Sequence, residues 1–176
     1  MEKIQSLIKL IRCIKYRFIG NIELGHKVKL GKAVSLKAKP STKINIGNLT
    51  SLADYNYISC VKGCIKIGNN CNFNRNISIV AHKMITIGDN CNFGPGVIIY
   101  DHDHKFNENG LCPGYNISEV VIGNNCWIGA NSIILRGTHI GDNTVIGAGS
   151  VVSGNVPDNT LVTSNRELKF KKLESR

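Results

Sequence analysis

The sequence predicts an all-β chain: a parallel, three-sided β-solenoid of about six coils, preceded by an amphipathic helix. Bulky apolar residues recur at every sixth position. Ile122, Ile128, Ile134, Ile140, Ile146 and Val152 follow one another without a break, as do Ile67, Phe73 and Ile79, then Ile87, Phe93 and Ile99. One phrase is restated along the chain: Ile46-Gly47-Asn48, Ile67-Gly68-Asn69-Asn70-Cys71, Ile87-Gly88-Asp89-Asn90-Cys91, Ile122-Gly123-Asn124-Asn125-Cys126 and Ile140-Gly141-Asp142-Asn143-Thr144. The period breaks after His82, since Ile67 to Ile87 spans 20 residues, and after His104, since Ile99 to Ile122 spans 23. Self-similarity at a fixed period is the signature of a repeat architecture.

Neither the helical period nor the strand period places one large apolar residue in every six. A short strand followed by a turn does, when three such units close one coil. Each bulky residue then points into a narrow prism, and Gly and Asn/Asp tolerate the φ > 0 geometry of its corners. The residue four places after each bulky one must be small. It is Cys71, Cys91, Cys126, Ser132, Thr144 and Ser150. Three cysteines therefore read as stacked core residues. An odd total of seven, with no C-x2-C pair, speaks against a disulfide or zinc framework.

Residues 1–20 are expected to be a basic amphipathic helix. Ile4, Leu7, Ile8, Ile11, Ile14 and Phe18 fall on one helical face, with Lys3, Lys9, Arg12, Lys15 and Arg17 around them. Such a helix either covers the open end of the solenoid or docks on an anionic membrane surface. The solenoid itself is expected over 21–161. Residues 105–121 read as a loop ejected from it, and long loops on rigid scaffolds tend to carry function. Residues 162–176 form a basic tail.

The net charge of +10 is not spread over the body. Residues 1–43 carry +9, 44–165 carry −2 and 166–176 carry +3. With aromatics at only 6%, a nucleic-acid partner is not expected. No apolar run approaches the roughly 20 residues of a membrane span. The first twenty residues are too often interrupted by Lys and Arg for a signal peptide, so the expected location is cytoplasmic.

Three stretches carry a family resemblance: Asn74-Arg75-Asn76-Ile77-Ser78-Ile79, Gly94-Pro95-Gly96-Val97-Ile98-Ile99-Tyr100-Asp101-His102-Asp103-His104, and Trp127-Ile128-Gly129-Ala130. Over about 46–157 the chain resembles the hexapeptide-repeat acyltransferases, most closely the galactoside, maltose and nodulation-type O-acetyltransferases and their capsule and O-antigen relatives. That resemblance implies a left-handed parallel β-helix, a homotrimer with active sites between subunits, and acetyl-CoA as donor. The handedness comes from the resemblance alone, since ordinary parallel crossovers are right-handed.

Acetyl transfer to a hydroxyl needs a base to take the proton as oxygen attacks the thioester, and histidine suits this near neutral pH. The resemblance assigns that role to His104, and the local run Asp101-His102-Asp103-His104 offers Asp101 or Asp103 as an orienting carboxylate. It assigns Asn74 to the active site, binding the acceptor or the reacting thioester. His82 and His102 occupy the same slot one coil apart and are expected to lie one above the other; with Asp103 they are candidate substrate contacts. For the coenzyme the resemblance points to Trp127, Ala130, Ala148, Ser153, Gly154 and Lys171. Many relatives have Lys where Gly154 stands, and the usual small-Gly-x-Pro-Ala tail reads Thr163-Ser164-Asn165-Arg166-Glu167 here. Arg166, Lys169 and Lys172 are substitutes for the phosphate end.

The expected activity is O-acetylation of a sugar hydroxyl, on a surface polysaccharide or its precursor. An amino-sugar N-acetyltransferase would use the same donor. Readings of another class are a metal lyase like the γ-type carbonic anhydrases, whose histidine spacing is absent here, and a non-catalytic solenoid scaffold. No metal is expected.

Overall fold

The computed structural model describes residues 2–164, with side chains from Leu7 onward. The C-terminal tail from 165, including Lys171, Arg166, Lys169 and Lys172, lies outside the described residues, as do the side chains of Lys3 and Ile4. The chain winds into a left-handed parallel β-helix with three faces. Face A runs from Ile22–Leu24 through Lys43–Ile46, Cys64–Ile67, Met84–Ile87, Val120–Ile122 and His139–Ile140 to Asn155–Val156. Face B runs from Lys29–Leu30 to Leu161–Val162, and face C from Ser35–Ala38 to Val151–Val152. Among the described residues, seven strands on A, seven on B and six on C make six complete coils and two faces of a seventh.

The six-residue register becomes columns of stacked side chains. Ile46, Ile67, Ile87, Ile122 and Ile140 pair in turn on face A. Phe73 and Phe93 stack on face B with ring centroids 4.4 Å apart and planes 5° from parallel. All of these are buried, and each is worth roughly 1.5–3 kcal/mol relative to exposure. The small fourth residues are buried as expected, but the slot also takes larger side chains: Ile77 and Val97 fill it after Phe73 and Phe93 and are buried too. The thiols of Cys71, Cys91 and Cys126 donate to the carbonyls of Gly88, Gly123 and Gly141 one coil on, at 3.2, 3.1 and 3.1 Å.

The corners divide the work between glycine and asparagine differently from the expectation. The left-handed backbone belongs to the asparagines, with φ of 54° to 58° at Asn70, Asn90, Asn125 and Asn143. The preceding glycine is needed for closeness instead. A Cβ on Gly68 would meet the Asp89 carboxylate and come within 2.5 Å of the Gly88 carbonyl oxygen. Between them stands a ladder: the side-chain oxygens of Asn69, Asp89, Asn124 and Asp142 accept the backbone N–H of Asn48, Asn69, Asp89 and Asn124.

The coils are not uniform. Stacked equivalents are 21 residues apart from Ile46 to Ile67, 20 from Ile67 to Ile87 and 18 from Ile122 to Ile140. The longer coils have four-residue strands on faces C and A, which add an inward residue where the two faces meet, namely Cys60 and then Ala81. On the next coil Asp101 is fully buried directly after Tyr100, which pairs with Val80. Its carboxylate accepts the backbone N–H groups of His82, Lys83 and Met84 at 2.7, 2.7 and 2.9 Å.

The excursion from the solenoid differs from an ejected loop over 105–121. It is an antiparallel hairpin of His102–Asn107 and Gly110–Ile117, and Val120–Ile122 already lies back in face A, in register with Ile85–Ile87. The N–H of Ser118 bonds to the Asp101 carbonyl and closes the neck. Backbone pairing within the hairpin satisfies groups that a bare loop would leave to water.

The helix also differs from a single run over 1–20. It breaks into Glu2–Ile11 and Ile14–Arg17. It does lie over the open end of coil 1, but not through the apolar face. Among the described side chains Cys13 and Tyr16 are buried, while Leu7, Ile8, Ile11, Ile14 and Phe18 are exposed. The reason lies in the first coil's edge, whose backbone groups have no coil beneath them. The Tyr16 hydroxyl donates to the Val34 carbonyl and accepts the Leu36 N–H, and the Cys13 thiol donates to the Val28 carbonyl. Polar side chains are what that edge requires.

Candidate active site

The hairpin leaves the solenoid where face C turns into face A, so the corner of the coil below and the hairpin's own strands share one edge. His82 lies at the corner of the lower coil, and its ring stacks on His102 at 3.9 Å between centroids, 20° from parallel. Continuing the C-face register past Ile79 and Ile99 by equal steps makes this stack a consequence of the repeat. The His102 Nδ1 lies 3.2 Å from the Asp101 carboxylate. His104 follows on the same strand, directly opposite Tyr115. Tyr115 meets three imidazoles: edge-on with His82 at 4.6 Å and His102 at 5.3 Å, and tilted with His104 at 4.8 Å. Tyr100 flanks His102 at 5.6 Å, its hydroxyl held 3.1 Å from that of Ser78.

Both carboxylates proposed to orient His104 have other partners. Asp101 serves the corner backbone and His102. Asp103 pairs with Arg136 of the next coil, at 2.6 Å from Nε to Oδ2. His104 is thus an exposed imidazole on a braced strand, with Tyr115 beside it. Burial, and then the neighbouring His102, hold His82 below the usual imidazole pKa despite the Asp101 charge. An uncharged His82 stacks on His102 without repulsion.

The remaining candidates are divided between this edge and face B. Ser153 and Gly154 are on the same C-to-A edge, after Val152 on the last face-C strand, both exposed. Gly154 has φ of 78°, and an added Cβ there would meet nothing within 4 Å. Asn74 and Trp127 instead line a shallow groove of about 430 Å³ on face B, with Ser51, Asn72, Asn92 and Gly94. Trp127 is 56% exposed. Ala130 and Ala148 stack at the corner where face B turns into face C; a Cβ on Gly94 would come within 2.5 Å of the Ala130 amide. Asn74 follows the face-B strand Asn72–Phe73, whereas His104 is on the hairpin that leaves at the C-to-A edge, so the two stand at different corners of one chain. Asn74 is exposed and accepts the N–H of Arg75 through its side-chain oxygen at 2.8 Å.

Tyr115 and Arg136 are absent from the sequence-based list. Tyr115 sits in the hairpin, outside the repeat, and its place opposite His104 depends on the hairpin register. Arg136 occupies a corner after Ile134, and only its partner on another coil distinguishes it. Among the described residues no group of three His, Cys, Asp or Glu is arranged to hold a metal ion.

Fold and edge define a class: a parallel three-sided β-helix that extrudes a histidine-bearing hairpin between its fourth and fifth coils. The family model for the bacterial transferase hexapeptide (six repeats) matches residues 119–154, and the chain belongs to the hexapeptide-repeat transferases. It is 35% identical over 130 residues to an Escherichia coli protein named as a lipopolysaccharide biosynthesis O-acetyl transferase, WbbJ, covering 68% of this chain and 66% of that one. The chain spans between about half and two thirds of the length of WbbJ and three other curated relatives, and about a quarter of two longer ones. A variant of AntD, an N-acyltransferase from Bacillus cereus in complex with dTDP and coenzyme A, shares the fold at a TM-score of 0.73, 22% identity, and 90% and 89% coverage of the two chains. A hexapeptide-repeat acetyltransferase of Vibrio cholerae complexed with acetyl coenzyme A superposes with a TM-score of 0.58 at 26% identity, over 86% of this chain and 70% of the other.

Proposed function

We propose that the protein transfers an acetyl group from acetyl-CoA to a sugar hydroxyl, on a surface polysaccharide or its precursor. The observation that carries this reading is the hairpin strand with His102 and His104, laid beside His82 and Tyr115 on one edge of a hexapeptide-repeat β-helix. His104 is the general base. Its imidazole takes the hydroxyl proton as that oxygen attacks the thioester carbonyl, the C–S bond breaks, and the coenzyme leaves as its thiol after accepting the proton. His82, His102 and Asp103 face the acceptor, and the ring faces of Tyr115 and the imidazoles suit the apolar side of a sugar.

The face-B groove supplies the second half of the site. Trp127 flanks it, and the small Ala130 and Ala148 let the pantetheine arm approach backbone amides. Ser153 and Gly154 are assigned to the phosphate end, with Lys171 as the cation that would neutralise it. Since Asn74 and His104 occupy different sides of one chain, a homotrimer is part of the reading: a neighbour's groove laid against the hairpin completes each site. Its location is cytoplasmic.

The test is free-thiol release from acetyl-CoA over a panel of monosaccharides, nucleotide sugars and oligosaccharides, with mass in solution measured alongside. His104→Ala is expected to lose about 10²- to 10⁴-fold in rate while keeping the trimer mass. An unchanged rate removes His104 as base. Turnover confined to amino sugars would move the activity to N-acetylation. A monomer that turns over fully would remove the shared site.

A further inference from the structure

We infer that the N-terminal helix pair is a docking surface for an anionic lipid bilayer, with its apolar side facing the membrane. The inference holds whatever reaction the chain performs. The inner side of the helices is already occupied, by Cys13 and Tyr16 against coil 1. The outer side presents Leu7, Ile8, Ile11, Ile14, Phe18 and Ile19, with Phe18 85% exposed. A surface helix normally turns such residues toward the core, and here the core is on the other side. Leaving six large apolar side chains in water is unfavourable unless something covers them.

Charge selects the occupant. Lys15 and Arg17 are exposed on the second helix, and Lys27, Lys32, Lys37 and Lys39 are exposed on the coil beneath. Residues 1–43 hold 11 Lys and Arg against 2 acidic residues, and one of those, Glu23, is paired with Lys43 at 2.6 Å. A second copy laid face to face would set this end against an identical cationic end. An anionic bilayer offers hydrocarbon for the apolar side and phosphates for the Lys and Arg rim, the combination an interfacial helix recognises. Among the described residues no helix is long and apolar enough to cross a membrane, so the contact is peripheral. Stacked coils at about 4.8 Å each put the histidine edge roughly 15–20 Å above that surface.

Sedimentation of the full chain with vesicles tests this, using phosphatidylcholine alone and phosphatidylcholine containing phosphatidylglycerol. Binding is expected to the anionic vesicles and to fall with salt. Lys15→Gln with Arg17→Gln should weaken it about tenfold or more. Leu7→Gln, Ile11→Gln and Phe18→Gln together should abolish it with thermal unfolding and solution mass unchanged. No preference for anionic vesicles, or a triple variant that still binds, overturns the proposal. So does a triple variant of lower mass, which would give the face to a second copy.

Discussion

The ring of His82 lies 3.9 Å from the ring of His102, face to face, although 20 residues separate them. The contact exists because both residues stand three places after an aliphatic of the same face-C column. It ties a chemically active edge to the arithmetic of the repeat, and it makes that edge sensitive to protons.

Stability should depend on pH through His82. Its folded pKa is depressed, first by burial and then by His102, so the folded state binds fewer protons than the unfolded chain below the ordinary histidine value near 6.5. The stabilisation is present above pH 6.5 and is lost as pH falls from there toward the folded pKa. Denaturant midpoints measured across this range should decline on acidification, and His82→Gln should flatten that limb. A slope unaltered by the substitution would show that other groups carry it.

Asp101 should matter more than an ordinary surface acid. Its buried carboxylate holds three backbone N–H groups of the corner below. Asp101→Ala leaves those donors unpaired and should cost about 1–3 kcal/mol per orphaned group at the low end, read as a lowered melting temperature. Asp101→Asn keeps acceptor capacity and should cost less. Equal effects would mean that the carboxylate charge, not donor satisfaction, stabilises the corner.

The Arg136–Asp103 pair braces the hairpin from outside. Both partners are partly exposed, so Arg136→Ala should change global stability by less than about 1 kcal/mol. Its effect should appear locally, as faster amide exchange across His102–Asn107 with the solenoid strands unaffected. Unaltered exchange in the hairpin would mean that strand pairing alone holds it.

Cysteine reactivity should follow the stack. Cys91, buried in the core with its thiol on the Gly123 carbonyl, is pushed above the ordinary thiol range by the neighbouring Cys126 and Cys71 thiols and by burial. An aqueous thiol reagent should modify the partly exposed Cys64 and Cys112 in the native protein, and the five buried cysteines only after unfolding. Rapid native labelling at Cys91 or Cys126 would contradict their place in the core.

Gly68 and Asn90 separate two reasons for a small or polar corner. Gly68→Ala should destabilise by about 3 kcal/mol or more, because its Cβ meets the backbone of the next coil. Asn90→Gly should stay within about 1 kcal/mol, since glycine adopts the same left-handed backbone. Thermal unfolding of the two variants measures the contrast, and similar losses would show that the Asn90 side-chain hydrogen bonds with Asn70 and Asn125 matter as much as backbone closeness.

The six-residue period by itself determined the three-sided tube, its inward columns, the small residues Cys71, Cys91 and Cys126, and the His82–His102 stack. All of these follow from a local repeat, in which each coil restates the geometry of the last. The tertiary structure decided what lies outside the repeat. It turned the excursion into a hairpin and set Tyr115 opposite His104, because strand pairing there depends on register, not period. It gave Asp101 to a buried corner and Asp103 to Arg136, because those partners come from other coils. It also reversed the N-terminal helix. Apolar spacing reveals that a helix has two sides, but the unpaired backbone of the first coil is what drew Cys13 and Tyr16 inward and left Phe18 facing out.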